Sequence, residues 1–139
     1  MRLWHKDLIS VLPRQQLLSQ WRECCCIARN IAVNGTSNHL LVNKVLDYDL
    51  QHLHFYAGLV HDELLNRGYK CDYSKFDKWL HLDKNQVTFE RLFIGWHRER
   101  YFWQCYYNLQ EKYDCGRITS DEWKLIVEKT EELGLYDKQ

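Results

Sequence analysis

Proline occurs once and glycine six times in 139 residues, too few for a collagen-like or low-complexity chain. An excess of one charge is missing as well. Nineteen Lys plus Arg stand against nineteen Asp plus Glu, which argues against the broad basic footprint of a general nucleic-acid binder. No apolar run approaches the roughly 18 residues that a membrane span requires, so the chain reads as soluble, with no membrane partner. The opening residues hold no apolar signal-like stretch, and three of the six cysteines are consecutive, Cys24 to Cys26. That pattern points to a reduced, cytoplasmic protein rather than a disulfide scaffold. Neighbouring residues on a helix diverge by about 100°, so the triplet does not present paired thiols. Neither C-x-x-C nor H-E-x-x-H occurs, and His52, His54, His61, Cys71 and His81 lack the spacing of metal ligands. No metal site is expected.

What is present is apolar and aromatic: 45% hydrophobic residues and 14% aromatics, enough for an ordered core. The periodicity is helical throughout. Leu17, Trp21, Cys24, Ala28 and Ile31 form one apolar stripe, predicting a first helix from Pro13 to about Ile31. Residues 34–38, Asn-Gly-Thr-Ser-Asn, read as a loop. A second stripe of Leu46, Leu50, Leu53, Ala57, Val60 and Leu64 predicts a helix stopped by Gly68. Tyr69 to Val87 has no clean period and reads as a loop with a short helix. From Thr88 to Gly116 a third helix is expected, with Phe89, Leu92, Trp96, Trp103 and Tyr107 inward. Thr119 and Glu122 have the form of a capping box and open a fourth helix, which runs to Gly134. With Met1 to Val11 as an extended arm pinned by Trp4 and Leu8, the expectation is an all-α fold. It is a single compact domain over 1–139, three long helices plus a C-terminal helix, and a monomer.

The polar side of helix one gathers Gln15, Ser19, Arg22, Glu23, Cys26 and Asn30. Taken alone this is a solvated helix face. The opening segment nevertheless resembles the start of the pyrimidine-dimer DNA glycosylases, the phage-type endonuclease V proteins. Leu8, Ser10, Leu12, Gln15, Leu17, Arg22 and Glu23 follow that family's pattern without a gap, and Leu65, Asn66, Arg67, Gly68 and Tyr69 resemble its L-x-R-G-aromatic helix end. The matched residues cover about the first half of the chain.

The resemblance implies a DNA-repair glycosylase with abasic-site lyase activity, acting on double-stranded DNA that carries a damaged or modified pyrimidine. An N-terminal amine, here that of Met1, forms an imine with the sugar, and Glu23 stabilises the cationic transition state. An α-amino group titrates near 8, well below lysine, and so is a ready nucleophile at neutral pH. Arg22 is expected to hold phosphate with Gln15, Arg2 and Arg29 as further DNA contacts, and no cofactor is implied. On helix three, His97 and Tyr101 lie near Arg98 and Arg100 on a polar side and are expected to meet DNA, whereas Trp96, Trp103 and Tyr107 are assigned to packing.

Two residues depart from the family pattern. Position two is Arg2 rather than a small residue, which predicts a retained Met1 with its amine one residue, about 3.5 Å, further out. Cys26 replaces a basic residue, and Arg29, about one turn on, stands in for that charge. The alternative reading is a catalytically silent DNA- or protein-binding module, favoured by the zero net charge and by Arg2.

Overall fold

An extended N-terminal segment has amides and carbonyls that must find partners, and this chain supplies them from side chains rather than from a sheet. In the computed structural model, which describes residues 1–136, the Trp4 N–H donates to Gln20 Oε1 at 2.7 Å, and the Arg2 carbonyl accepts from Gln20 Nε2 at 3.0 Å. The Leu3 carbonyl accepts from the Tyr101 hydroxyl at 2.6 Å, and the Lys6 N–H donates to His97 Nδ1 at 3.0 Å. Leu3, Trp4, His5, Leu8, Ile9 and Leu12 are all buried. The arm is therefore part of the core, and it is not extended throughout: Lys6–Val11 forms a 3-10 helix.

The remaining elements are α1 (Arg14–Asn34), a 3-10 helix (Val42–Asp47), α2 (Leu50–Asn66), the single turn α3 (Ser74–Asp77), α4 (Glu99–Asp114) and α5 (Ser120–Glu132). The all-α architecture of three long helices and a C-terminal one is what the periodicity predicts. No strand occurs among the described residues.

Helix ends follow local chemistry. Gly35, at φ 75°, closes α1 by donating its N–H to the Ile31 carbonyl, one turn later than expected. Asp49 caps α2, accepting the Gln51 N–H at 2.8 Å, so Leu46 falls outside the helix and is exposed. The capping box at Thr119 and Glu122 is complete, and Glu122 Oε2 also accepts the first amide of α1, that of Arg14, at 2.8 Å. One carboxylate thus anchors two helix N-termini.

The motif from Leu65 to Tyr69 proves to be a clamp. Arg67 donates to the carbonyls of Leu12 at 2.7 Å and Ser10 at 3.2 Å, and its Nε binds Glu63 at 3.1 Å. Tyr69 accepts from Arg14 Nε at 2.9 Å. Together they lock the junction between the arm and α1.

The expected third helix is corrected most. Residues 88–98 are a series of turns, and α4 begins only at Glu99. Lys6 Nζ enters those turns and donates to the carbonyls of Phe89, Glu90 and Leu92, satisfying acceptors that a helix would have bonded internally. The inward face of α4 is Phe102, Cys105, Tyr106 and Leu109, while Trp103 and Tyr107 are half-buried beside it. Extending the period across the turns put the stripe out of phase. Trp96 is buried, as assigned.

His5 and His97 stack at 5.2 Å between ring centroids. Burial lowers His97 to about 2 and His5 to about 4, so both are neutral at physiological pH. Each uses Nδ1 as an acceptor, His97 from Lys6 and His5 from the Asp7 N–H at 3.1 Å, and protonation removes that capacity. A folded-state pKa below the free value means that the unfolded chain takes up protons first, so stability present above about pH 6.5 is lost as pH falls. Denaturant titrations between pH 7 and 4 should show falling stability with proton uptake on unfolding, to which this pair contributes up to two protons beside smaller shares from His52 and His54, and the uptake should be reduced in His97→Gln.

Candidate active site

Helix α1 presents two neighbouring polar rows rather than one. Gln15, Arg22 and Arg29 recur every seven residues along an exposed ridge, roughly 10.5 Å apart by helix rise. Arg22 is braced by its donation to Ser19 Oγ at 3.1 Å, and the Arg29 guanidinium lies 6.0 Å from the centre of the Trp79 ring. Cys26, on the same ridge, is exposed.

Glu23 belongs to the other row, which leans under the arm. It is half-buried, and Gln20 Nε2 donates to its Oε2 at 3.0 Å. Burial pushes the Glu23 carboxyl above the usual glutamate range. Among the charges that pull it back, the N-terminal amine acts most strongly, followed by Arg22 and His39. The chain terminus therefore sits in the electrostatic reach of this carboxylate. Met1 itself remains 44% exposed, open to a ligand from outside.

Gln20 makes that placement possible. Its side-chain carbonyl takes the Trp4 N–H, its amide binds both Arg2 and Glu23, and the Tyr56 hydroxyl lies 2.8 Å from its Oε1 and 2.6 Å from the Trp4 carbonyl. Gln20 and Tyr56 are fully buried. Neither stood out in the sequence. Glutamine three residues before a helical glutamate is the only local sign, and its meaning depends on an arm that is remote in the chain.

On the far side of Arg2 lies a groove of about 480 Å³. Arg2, Lys44, Arg98 and Arg100 supply four cations to its walls, Trp96 and Tyr101 supply aromatic surface, and no acidic residue lines it. A neutral molecule can carry a local basic cleft, and this one adjoins the arm. Arg2 also approaches the Trp4 ring at 5.4 Å and Cys105 Sγ at 3.9 Å.

The structure brings together Met1, Arg2, Arg22 and Glu23, and leaves Gln15 and Arg29 further along the α1 ridge. His97 is buried, and its Nδ1 takes the Lys6 amide, so in this structure it positions the arm. Tyr101 spends its hydroxyl on Leu3, although part of its ring borders the groove. Arg98 and Arg100, noted in the sequence only as neighbours of His97 and Tyr101, are groove cations, and Lys44 is one that the sequence did not single out. Among the described residues, no helix is long and apolar enough to cross a membrane.

Comparison with known proteins gives one firm result. Neither curated proteins nor solved structures provide a match to this chain. A sequence model of one family, however, matches residues 1–77, the span that holds the arm, all of α1 and α2, and the clamp at Arg67. The chain belongs to the pyrimidine dimer DNA glycosylase family.

Proposed function

We propose that this protein removes damaged or modified pyrimidines from double-stranded DNA and then cuts the strand at the resulting site, using the Met1 amine as nucleophile and Glu23 as the assisting carboxylate. The observation that carries the reading is the half-buried Glu23, on which the N-terminal amine is the strongest opposing charge. Family membership supplies the DNA substrate class.

The unprotonated amine attacks C1′ of the sugar. The glycosidic bond breaks, and the base leaves with the bonding pair and collects a proton. The amine then loses a proton, the C1′–O4′ bond opens with O4′ protonated, and a cationic imine joins Met1 to the sugar. Removal of a C2′ proton leaves a pair that forms the C2′–C3′ double bond and expels the 3′ phosphate. Water then hydrolyses the imine and frees the amine. Glu23 as carboxylate stabilises positive charge developing at C1′ and O4′. Its raised pKa brings it closer to working pH, which suits a group that also passes protons in the later steps. Arg22 on the ridge and Arg2 at the groove hold flanking phosphates. The retained methionine is accommodated because Gln20 fixes the Arg2 carbonyl, leaving one residue to reach Glu23.

Borohydride trapping on a duplex with an abasic site tests this directly, since reduction of the imine fixes the adduct. The expected adduct maps to the Met1 amine and disappears after N-terminal acetylation. Folded protein that binds the duplex without trapping would remove the imine step and leave either a glycosylase that uses water or a silent DNA-binding module.

A further inference from the structure

Arg2, Lys44, Arg98 and Arg100 line the basic groove, and among the described residues none of the four is ion-paired to a carboxylate. In a chain whose charges balance at nineteen each, this is a local surplus. Glu99 stands between Arg98 and Arg100 in the sequence, yet it accepts from Trp103 Nε1 at 3.3 Å and lines a different cavity, beside His5 and Phe102. The carboxylate nearest in sequence is thus turned out of the groove. The walls themselves are fixed. Tyr48 donates its hydroxyl to the Ile94 carbonyl at 2.6 Å, Tyr101 donates to Leu3, and the Trp96 and Tyr101 rings lie 5.6 Å apart. Like charges gathered around one cleft focus a positive potential there and favour the ligand of highest negative charge.

An intact DNA backbone offers one negative charge per phosphodiester. Cleavage by β-elimination changes that number. The C3′–O bond breaks with its electron pair going to the phosphate oxygen, so the diester becomes a 5′-phosphomonoester, which carries about −1.5 to −2 at neutral pH. The departing oxygen is attached two carbons from the C1′ joined to Met1, and the residue after Met1 is Arg2, whose side chain lines the groove. Gln20 holds the Arg2 carbonyl at 3.0 Å, which keeps the groove one residue from the amine. Trp96, Arg98, Arg100 and Tyr101 lie beyond the 1–77 span of the family model, so the family pattern does not describe this wall.

We propose that the basic groove is a binding site for the 5′-phosphomonoester end of the cleaved strand, which it holds after the C3′–O bond breaks. The inference rests on the DNA-cleaving reading above. The guanidinium groups of Arg98 and Arg100 can each fork two phosphate oxygens, and the attraction grows with the charge on the phosphate. The groove therefore tells a broken strand from an intact one, and it keeps the nicked duplex on the protein once the imine is hydrolysed.

The test uses duplexes with a one-nucleotide gap whose downstream strand begins with a 5′-phosphate or a 5′-hydroxyl, neither of which can react with the amine. By fluorescence anisotropy, wild type should bind the phosphorylated gap about tenfold more tightly than the hydroxyl gap. R98Q/R100Q should bring that ratio to about one, and the ratio is compared because loss of two cations weakens all DNA binding. R117Q/K124Q, at exposed positions outside the groove, should keep the wild-type ratio. A wild-type ratio near one, or a ratio retained in R98Q/R100Q, would overturn the site. Equal loss of the ratio in both double variants would overturn it as well, by reducing the preference to net charge. Thymidine 5′-monophosphate that competes as well as a 5′-phosphorylated gap duplex would make the groove a pocket for free nucleotides and overturn the assignment to a strand end. Borohydride trapping on an abasic duplex separates the site from the cleavage reading. A tenfold ratio without a Met1 adduct would keep the site and remove that chemistry, whereas an adduct with a ratio near one would remove the site alone.

Discussion

Replacing Glu23 by Gln should abolish base release and trapping, by on the order of 10²- to 10⁴-fold, while duplex affinity is kept and thermal stability is equal to or above wild type. The two effects have one cause. Burial holds the Glu23 carboxyl above its free range, so between the free and the raised value the folded protein binds more protons than the unfolded chain. Stability associated with this group is therefore full at low pH and declines as pH rises through that window. Gln removes the charge, keeps the shape, and can still accept from Gln20. Few substitutions in a buried network are expected to stabilise, and one that does so while erasing activity marks a site held for chemistry rather than for folding. The pH profile checks the same assignment. Because the amine must also be unprotonated, the Glu23 contribution is the part of the wild-type acid limb that is missing from the residual Glu23→Gln reaction, and an acid limb unchanged in Glu23→Gln would exclude Glu23 as a group responsible for it.

Gln20→Ala should do the reverse, lowering stability and activity together. The Trp4 N–H and the Arg2 carbonyl lose their partner, each at about 1–3 kcal/mol when buried and unsatisfied, for a total near 3 kcal/mol and a drop in Tm of roughly 10 °C. The chain terminus then loses its fixed distance from Glu23, and trapping should slow by about tenfold or more even at temperatures where the variant is folded. Gln20→Glu separates the two roles. Its carboxylate can accept from Trp4 but cannot donate to Arg2, and it sets a second negative charge within hydrogen-bond distance of Glu23. A Gln20→Glu protein that traps as well as wild type would show that arm registration does not limit the reaction. Hydrogen exchange at the Trp4 amide reports the arm independently of DNA.

The helices were legible because each has its own local signal. The stripe from Leu17 to Ala28, the loop at Gly35, Gly68 and the Thr119 box are all readable over a few residues, whereas the stripe from Leu46 passes over the Asp49 cap and starts α2 too early. The arm was legible only as an absence of period. What it contains depends on Gln20, Tyr56, His97 and Tyr101, which lie 16 to 98 residues from the atoms they bind, and no short window reports such pairs. The false third-helix start has a similar origin. Phe89, Leu92 and Trp96 have helical spacing, but Lys6 captures the carbonyls of Phe89, Glu90 and Leu92, and Phe93 takes a positive φ of 50° that breaks the run. Tertiary contacts outweighed propensity there. Among the candidate site residues, Glu23, Arg22 and Met1 were named through family resemblance, not through periodicity, which left them on a solvated face.

Residues 1–77 carry the family's pattern, yet Lys6, Leu3 and Trp4 are seated by a mixture of that region and chain well beyond it, at Phe89 to Leu92, His97 and Tyr101. A chimera that grafts the first 77 residues onto a foreign C-terminal half would inherit Glu23, the amine and the Gln20–Tyr56 socket but not the partners that hold Leu3 and Lys6. Domain-shuffling experiments on this protein should therefore exchange the arm and the 89–101 segment as a pair, although 83 residues separate Lys6 from Phe89 in the linear sequence.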